Sequence, residues 1–400
     1  MSQTTSARAV DVDPFSEEFL VDPYPFHEVF REAGPAVRIE RYPTWVLARY
    51  DPIQCALNDP ETYSSAAGVG LSDFRREKPW RKPSLLLETD RPEHTKARAA
   101  IMRSLTPRVM EGLRVAFAEN ADRLIDGLVR RRSFDAVPDL ATAYPVETVA
   151  DAIGLSKEGR EHLVTYGHAL FNSFGPANRV AEETLGRAGA AIAWVAESCR
   201  RESLSPDGLG ALVYTAADDG KVSEEEAGLL VRSFLSAGIV TTVHSLSSAL
   251  YLFALHPEQW SALRRDPAKV RPAFEEILRL ESPIQSFFRT TTRQTTLDEV
   301  IIEEGEKVLL LMGSANRDPR RWVDPDRFDI DRPPGGHMGF GGGLHSCVGA
   351  ILARLEAHIL LADLARKVES IELSGKPVRL INNILRGFDS LPVTLHPASN

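Results

Sequence analysis

The stretch HMGFGGGLHSCVG, residues 337–349, places five glycines around two histidines and one cysteine. A strongly periodic helical pattern follows directly, so Cys347 stands at the predicted N-terminus of a helix. Glycines allow positive φ angles and a close approach of other groups to the backbone. The helix dipole and the free backbone amides stabilise a thiolate at such a position, which makes it a good nucleophile or metal ligand.

Three roles for Cys347 remain open from the residues alone. The first is a structural cysteine, because free thiols are among the most buried side chains. The second is a catalytic nucleophile, for which His345 is poorly placed as the general base. The third is an axial iron ligand, which also accounts for the glycines, because a large flat cofactor must approach the backbone and amide donors must tune the sulfur.

Composition narrows the class of protein. Hydrophobic residues make up 43% and charged residues 26% of the 400-residue chain, which is typical of a globular protein with a sizeable core. The formal net charge of -9 argues against nucleic acid as the main partner. Cys55, Cys199 and Cys347 are far apart, which excludes a disulfide framework and a four-cysteine metal site. The N-terminal stretch lacks a secretion signal, so we expect a cytoplasmic protein.

Helical periodicity dominates the chain, and no linker of distinct composition divides it. We therefore expect a mainly α fold with small peripheral β sheets, in a single domain over residues 1–400. The helical part runs from Glu93 to about Leu280. Three β regions are predicted: a hairpin over residues 36–50 with its turn near Pro43, two strands from Thr295 with EEGEK as the turn between them, and strands within residues 378–397.

The longest predicted helix runs from Ser223 to about residue 255. Its first residues, SEEE, form a capping box between Ser223 and Glu226. Arg232 and His244 interrupt its apolar character, which favours a helix through a large core over a membrane span. Within it, SAGIVTT weakens the helix, because glycine is a poor helix former and threonine hydroxyls bond back to carbonyls. Such a place can admit a ligand or water.

The segment FGGGLHSCVG, residues 340–349, resembles the haem-binding signature of the cytochrome P450 superfamily. The match includes every defining position: Phe340, Gly341, Gly343, His345, Cys347 and Gly349. The resemblance implies the cytochrome P450 fold, a triangular prism with haem b (iron protoporphyrin IX) between the long central helix and the cysteine-loop helix. It also implies a monooxygenase in which the Cys347 thiolate binds the haem iron.

Other motifs follow the pattern of the superfamily in the expected order. Glu276 and Arg279 of EEILR share a helix face, and the superfamily joins such a pair to a downstream arginine, here Arg327 of DPDRFDI. HTKAR resembles the propionate-binding helix. The resemblance implies haem contacts from His94, Arg98, Arg289, Phe340, Gly341 and His345.

The chain looks most similar to a bacterial class of the superfamily that oxidises para-substituted benzoates, typically demethylating 4-methoxybenzoate. Four stretches carry this likeness: GVGLSDFRREKPWRKPS, LFNSFGP, LVRSFLSAG and ESPIQSFFRTTTR. It implies that the substrate carboxylate is bound by Arg81 and Ser84, with help from Arg232 and Ser233. It further implies that Phe171, Phe174 and Phe287 hold the aromatic ring, and that Leu87, Ser236, Ala237 and Ile284 line the space toward the haem.

Proton delivery is where the chain departs from the superfamily. The usual pattern on the long helix is AGxDT, whereas AGIVT places Val240 where the carboxylate belongs. Valine neither accepts nor releases a proton, so the relay would fall to Thr241, Thr242 or waters. We therefore expect a slow or poorly coupled monooxygenase. Two alternatives are a peroxide-using haem-thiolate enzyme and a haem protein that binds aromatic acids with little turnover.

Electrons and O2 must come from outside, because the chain contains no flavin or ferredoxin module. The resemblance implies a 2Fe-2S ferredoxin with an NAD(P)H-dependent ferredoxin reductase. A basic face near Cys347 is expected to meet the acidic ferredoxin. Its predicted members are Arg98, Arg103, Arg317, Arg320 and Arg321.

Overall fold

The structure, a computed structural model, describes residues 9–399. Helices dominate it, as the sequence predicts. The α-helices are α1 Glu17–Val21, α2 Tyr24–Ala33, α3 Tyr50–Asn58, α4 Glu93–Met102, α5 Pro107–Arg131, α6 Ala143–Ile153, α7 His162–Asn172, α8 Arg179–Arg187, α9 Gly189–Ser198, α10 Leu209–Asp218, α11 Glu224–Ala237, α12 Val240–Leu255, α13 Pro257–Arg265, α14 Val270–Glu281, α15 Met312–Ala315 and α16 Ala350–Lys367.

Short strands lie at the periphery in four small sheets. They are β1 Val37–Ile39, β2 Thr44–Leu47, β3 Tyr63–Ser64, β4 Ser133–Asp135, β5 Phe287–Thr291, β6 Thr295–Leu297, β7 Val300–Ile302, β8 Lys307–Leu310, β9 Val368–Leu373, β10 Val378–Arg379, β11 Phe388–Ser390 and β12 Pro392–Pro397. The largest sheet has the order β1-β2-β8-β5-β3 and is antiparallel except between β2 and β8. The others are β4-β12-β9, β10-β11 and β6-β7.

The predicted hairpin is confirmed, and one predicted turn joins strands that do not pair with each other. Val37 of β1 lies opposite Val46 of β2 in an antiparallel register. The EEGEK turn follows β7 and precedes β8, as predicted. However, β7 pairs with β6, whereas β8 inserts between β2 and β5. The buried, apolar β8 thus joins the larger sheet, where both of its edges are bonded.

The longest predicted helix is a rod of two helices, α11 and α12, that spans Glu224–Leu255. The capping box is present: Ser223 Oγ accepts from the Glu226 amide (3.1 Å), and the Glu226 carboxylate accepts from the Ser223 amide (2.7 Å). The rod breaks at Gly238 and Ile239, within SAGIVTT. It is long and apolar enough to cross a membrane by composition, but 72% of its most apolar window is buried inside the protein. It is the central helix of a core.

Packing around this rod positions the cysteine segment. α12 packs against α14 and α7, and α16 packs against α5 and α14. The rod and α16 therefore share α14 as a neighbour. We call residues 339–349 the cysteine loop; it leads directly into α16 and borders the rod across a cavity.

The predicted ion pair at the base of α14 is present, but its third member is different. Arg279 donates to both Glu276 carboxylate oxygens (2.7 and 2.9 Å), with both side chains almost fully buried. The arginine that joins Glu276 is Arg332 (3.1 Å), and Arg327 was the wrong prediction. Arg327 is exposed and contributes only its backbone carbonyl, which accepts from Arg279 (3.3 Å). The loop turns this carbonyl inward, so the side chain points away.

Candidate active site

A deep cavity lies between the rod, α7 and the cysteine loop. It encloses about 1680 Å³ of space between protein atoms, part of it open to solvent. Among the residues predicted from sequence, it is lined by Arg81, Ser84, Leu87, Arg98, Phe171, Phe174, Arg232, Ser233, Ser236, Ala237, Thr241, Thr242, Ile284, Phe287, Arg289, Phe340, Gly341, His345 and Cys347. Side chains that lie up to 266 positions apart therefore meet in one place, whereas His94 and Val240 lie behind the cavity wall.

Cys347 ends the cysteine loop, just before α16. Its amide donates to the Phe340 carbonyl (2.9 Å), which closes the loop. Its side chain is exposed to the cavity, although the residue lies deep within the protein. Burial raises the pKa of the thiol, and the backbone amides of Gly349 and Ala350 counteract this. A thiolate here therefore needs a bound cation, and two amides are in place to stabilise its sulfur.

Glu275 of α14 contacts residues on both sides of the cysteine loop, His337 before it and Arg354 after it. Its carboxylate accepts from Arg354 of α16 (2.6 and 2.9 Å) and lies 2.9 Å from Nε2 of His337. Burial opposes ionisation, but these two partners lower the pKa of Glu275 to about 2. Arg354 also lies over the ring of Phe340, 4.5 Å from its centroid. The backbone before Cys347 is therefore fixed by an ionised, buried network.

The glycines of the loop are required by its path. Gly341 and Gly343 adopt φ angles of 67° and 59°, in the left-handed region. A Cβ atom at Gly343 would lie 2.0 Å from the carbonyl oxygen of Leu57. The loop therefore passes so close to α3 that no side chain fits at that position.

Two histidines near the loop end of the cavity have ring nitrogens without a hydrogen-bond partner among the described residues. His94 is fully buried, and neither of its ring nitrogens has a hydrogen-bond partner among the described residues. Burial lowers its pKa to about 4, with the charges of His345 and Arg98 adding to this effect. The His345 ring lies edge-on at 4.6 Å, bonds the Leu86 carbonyl through Nδ1 (3.0 Å) and leaves Nε2 without a hydrogen bond.

Two arginines stand beside these histidines. Arg98 donates to the Ser346 carbonyl (2.7 Å). Arg289, which is 4% exposed, donates to the Phe288 carbonyl (2.8 Å). Burial lowers the pKa of Arg289 to about 10, so it remains charged at neutral pH. Buried cations with spare N–H donors match an anionic group bound in the cavity.

Three phenylalanine rings form one wall of the cavity. Phe171 and Phe174 pack edge-to-face with centroids 5.9 Å apart, and Phe174 packs likewise on Phe287 at 5.8 Å. Leu87 and Ile284 pack on the same cluster. This arrangement gives a flat, apolar slot of the kind that holds an aromatic ring.

Arg81 stands over this wall, with its guanidinium 5.7 Å from the centroid of Phe174. It forms a bidentate ion pair with the fully buried carboxylate of Glu88 (2.9 and 3.0 Å). Glu88 also accepts from the Ser84 amide (2.7 Å), and Nη1 of Arg81 donates to the Lys82 carbonyl (3.0 Å). Residues 81–88 are thus closed into a rigid loop.

Arg232 and two serines complete a group that we call the clamp: Arg81, Ser84, Arg232 and Ser233. Arg232 donates to the Lys82 carbonyl (2.8 Å). The hydroxyl of Ser84 accepts from two backbone amides and keeps its own proton to donate. Ser233 donates to a carbonyl of its own helix (3.2 Å). Burial and the positive charge of Arg81 lower the pKa of Arg232. The two guanidiniums are close neighbours, since both donate to the Lys82 carbonyl.

α12 presents hydroxyls to the cavity and hides position 240. Thr241 and Thr242 border the cavity, and their hydroxyls donate to the carbonyls of Ala237 (2.7 Å) and Gly238 (3.0 Å). Val240 is 1% exposed and belongs to the apolar cluster of the phenylalanines. A Cβ atom on Gly167 of α7 would lie 2.5 Å from its Cγ1. Position 240 therefore faces α7.

The chain resembles known proteins over nearly its whole length. A family model described as Cytochrome P450 matches residues 270–386. CYP199A2, a cytochrome P450 of Rhodopseudomonas palustris, is 51% identical over 388 residues, which cover 97% of this chain and 94% of the relative. The chain belongs to the cytochrome P450 family.

More distant members agree. Cytochrome P450 107B1 of Saccharopolyspora erythraea is 32% identical, with 97% of this chain and 99% of the relative covered. The crystal structure of CalO2 matches with a TM-score of 0.85 at 27% identity, covering 97% of this chain and 100% of that chain. The predicted superfamily, its fold and its monooxygenase class are thus confirmed, as is the likeness to a bacterial class of cytochrome P450.

Haem b, held through a cysteine thiolate, is the cofactor of this family, and the cavity fits it. The cysteine sulfur, His345 and the buried guanidinium of Arg289 line the loop end of the cavity, and His94 lies behind them against the His345 ring. These groups provide a thiolate for iron and N–H donors for two propionates. Gly341 and Gly342 line the cavity without side chains and leave room for the porphyrin edge near the backbone.

A pair of buried histidines in this cytochrome P450 was missed from the sequence. His168 of α7 and His244 of α12 have their Nε2 atoms 3.2 Å apart and their rings nearly parallel, at 13°. Burial lowers the pKa of His168 to about 4 and that of His244 well below its ordinary value. Both rings are therefore neutral at pH 7, and one donates Nε2–H to the other. The residues are 76 positions apart, so no local pattern links them.

Glu88 and Tyr166 were also missed. Glu88 holds Arg81, and Tyr166 lines the cavity beside Arg232, whose charge acts on its phenol. An acidic residue near an arginine is too common a pattern to indicate a buried pair. The spacing of Tyr166 ahead of Leu170 and Phe171 on one helix face was the available signal for a residue in the same wall.

Proposed function

We propose that this protein is a haem-thiolate monooxygenase of para-substituted benzoates, which O-demethylates 4-methoxybenzoate or hydroxylates 4-alkylbenzoates. One observation carries the proposal: Arg81 and Arg232 of the clamp donate to the same Lys82 carbonyl, Glu88 is the one carboxylate bonded to the clamp among the described residues, and the clamp borders the same cavity as Cys347. A single positive charge therefore remains uncompensated in a largely apolar cavity. One substrate carboxylate would balance it.

The lining residues would orient such a substrate. Its carboxylate would accept from Arg81 and from the Ser84 hydroxyl, and its ring would lie against Phe171, Phe174 and Phe287. The para substituent is the part of the molecule furthest from the clamp. Leu87, Ser236, Ala237 and Ile284 line the cavity around it and supply little that competes for hydrogen bonds.

Cys347 is proposed as the iron ligand, with His94, Arg98, Arg289 and His345 around the propionates. When bound, thiolate-ligated haem activates O2 and inserts one oxygen atom into a C–H bond, with two electrons supplied from outside. Phe340 and Gly341 border the cavity beside Cys347 and would shield the sulfur from water. Oxidation at a methoxy carbon releases formaldehyde and leaves the phenol.

Proton supply on the rod side is proposed to limit turnover. Val240 carries no proton to donate, and the residues of α12 with hydroxyl groups that border the cavity are Thr241, Thr242 and Ser245. Each is bonded to a carbonyl, so each can pass a proton only when water takes over that bond. A peroxide-driven reaction, which brings its own protons, is the alternative that this arrangement favours.

A 2Fe-2S ferredoxin with its NAD(P)H-dependent reductase is proposed as the electron source, in the cytoplasm. The predicted basic face is weaker than its sequence indicates. Arg103 pairs with Asp219 (2.7 Å), Arg317 with Asp326 (3.0 Å) and Arg320 with Glu32 (2.8 Å). Arg321 is exposed, lies over the rings of Tyr50 and Trp322 and has no ion pair among the described residues. Docking there would rest on Arg98, on Arg321 and on exchange of these ion pairs.

Titration of the ferric holoenzyme with 4-methoxybenzoate tests the proposal. We expect the Soret band to shift toward high spin and formaldehyde to form under turnover. Arg81→Met should weaken binding roughly 10- to 100-fold, because a charge-assisted hydrogen bond contributes about 1.5–3 kcal/mol. Arg41→Met, at an exposed arginine, is the matched control and should bind normally.

The neutral methyl ester of the same acid separates charge from shape. We expect it to bind the wild type weakly and to lose little affinity in Arg81→Met. Absence of a spin shift with every para-substituted benzoate would show that the substrate class is wrong, whereas a spin shift without formaldehyde would identify a binder with little turnover.

A further inference from the structure

Glu88 has no contact with the cavity, yet it is the only acid bonded to the clamp among the described residues. Its side chain is 0% exposed, and its two oxygens meet Nη1 and Nη2 of Arg81. A third bond, from the Ser84 amide, fixes the carboxylate from behind. Neither oxygen can turn toward a ligand without breaking this set.

The bonds made by Arg81 leave one defined edge free. Nη1 uses both of its protons, on Glu88 and on the Lys82 carbonyl, and Nη2 uses one on Glu88. Nε–H and the second Nη2–H have no acceptor among the described residues. These two N–H groups lie side by side on a guanidinium and form the second fork that binds a carboxylate. Glu88 thus occupies one fork and leaves the other for a ligand.

The net charge of the clamp together with Glu88 is plus one. Arg81 and Arg232 contribute two positive charges and Glu88 one negative charge. The two guanidiniums donate to the same Lys82 carbonyl (3.0 and 2.8 Å), and Glu88 is bonded to Arg81, so the three charges lie close together. The nearby pair of Lys82 and Glu225 is 65% and 62% exposed, so water screens it, and its charges cancel.

We propose that Glu88 is a positioning and specificity-determining residue. It aims the free fork of Arg81 at the substrate and sets the clamp to accept one negative charge. The inference rests on the proposed function of the clamp. Ligands with one carboxylate leave the buried site neutral, whereas ligands with none or two leave a charge without a partner.

Two ligands of matched shape test this. 4-Methoxyphthalate carries two carboxylates, and 4-methoxy-2-nitrobenzoate replaces one of them with a neutral nitro group of the same geometry. Dissociation constants are measured by calorimetry and by the Soret shift on the holoenzyme. We expect the wild type to prefer the nitro compound by at least about tenfold. In Glu88→Gln, which raises the clamp charge to two, the preference should fall below about threefold or reverse.

A double variant that restores the net charge shows whether the change in Glu88→Gln comes from charge or from misfolding. Arg232→Gln lowers the clamp charge to zero and should weaken both ligands while favouring the neutral methyl ester. The double variant, Glu88→Gln with Arg232→Gln, returns the charge to one and should recover most of the wild-type preference. Glu225→Gln removes a nearby but exposed charge and should leave the ratio unchanged.

The outcomes are distinct. A ratio that is unchanged in a folded Glu88→Gln variant, or not recovered in the double variant, would overturn the inference while the clamp itself stands. Failure of 4-methoxybenzoate to bind the wild type would instead overturn the proposed function. If Glu88→Gln does not fold, the two ligands are compared in the Arg232→Gln variant alone, and an unchanged ratio there contradicts the charge count.

Discussion

The two sides of the cavity differ in how they treat charge. On the α16 side, the loop before Cys347 is fixed by the Glu275 carboxylate, which contacts His337 and Arg354, and α16 carries the buried acid Glu356. On the α12 side, position 240 is apolar, and the titratable groups next to it, His168 and His244, are neutral. The α16 side therefore contains carboxylates and a thiol, whereas the residues around position 240 on the α12 side carry no charge. The cysteine loop and its contacts can thus stay the same while the residue at position 240 of α12 varies.

Substitution of Cys347 would produce the largest effect. We expect Cys347→Ser to abolish turnover and the red-shifted Soret band that the ferrous carbonyl complex shows with a thiolate ligand. The fold should persist, because serine is close to cysteine in size and Glu275 still anchors the loop. Circular dichroism checks the fold. A variant that retained the thiolate-type band would contradict the assignment.

An acid at position 240 would sharpen the contrast between the two sides. If proton supply limits turnover as proposed, we expect Val240→Asp to raise product formed per NADH several-fold, because the aspartate would add a proton donor. It should also cost about 1–3 kcal/mol of stability, since the apolar cluster around it offers no partner. Val240→Asn is the matched control, with a similar cost and no gain. Equal coupling in both variants would mean that proton supply at this position is not limiting.

The histidine pair should make the α12 side sensitive to acid. Because the folded-state pKa of His168 is about 4, below the unfolded value of about 6.5, the unfolded chain binds the proton first as the pH falls. Stability is full above about pH 6.5 and falls toward pH 4, by about 2 kcal/mol at pH 5 for one such group. His244→Asn should flatten this loss, measured as the midpoint of thermal unfolding between pH 7.5 and 5. His396→Asn, a half-exposed histidine, should not.

Glu356 should make the stability respond to pH in the opposite direction. Burial raises its pKa to about 8, against a hydrogen bond from Thr148 (3.1 Å) that favours the charged form. The folded state therefore holds a proton that the unfolded state has lost, and stability falls as the pH rises above about 4.5. Between pH 6 and 7 the loss is about 1 kcal/mol. Glu356→Gln should abolish this slope in thermal unfolding, and a slope that persisted would locate the effect elsewhere.

What the sequence predicted was carried by contiguous patterns. The cysteine loop, the capping box at Ser223 and the weakened helix at Gly238 each lie within a few residues, where backbone geometry and chemistry are read together. The walls of the cavity came from a resemblance that spans the chain. The errors and omissions are contacts between distant segments. The choice of Arg332 over Arg327 depends on which way one loop turns, and local spacing does not encode that.

The same reason applies to the unpredicted partners. Glu88 meets Arg81 only because the loop between them closes, and His168 meets His244 only because α7 crosses α12. Each partner alone has the commonplace character of an exposed acid or a core histidine. Their meaning arises from pairing, which tertiary packing decides.

The contact between Gly167 and Val240 has an evolutionary consequence. With 2.5 Å between Cγ1 of Val240 and the place of a Cβ atom at residue 167, any side chain there collides with the valine. Homologues with a larger residue at one of these positions should therefore carry a smaller or differently shaped residue at the other. Position 240 and Gly167 of α7 are therefore sterically coupled, and a change at one of them alters which residues fit at the other.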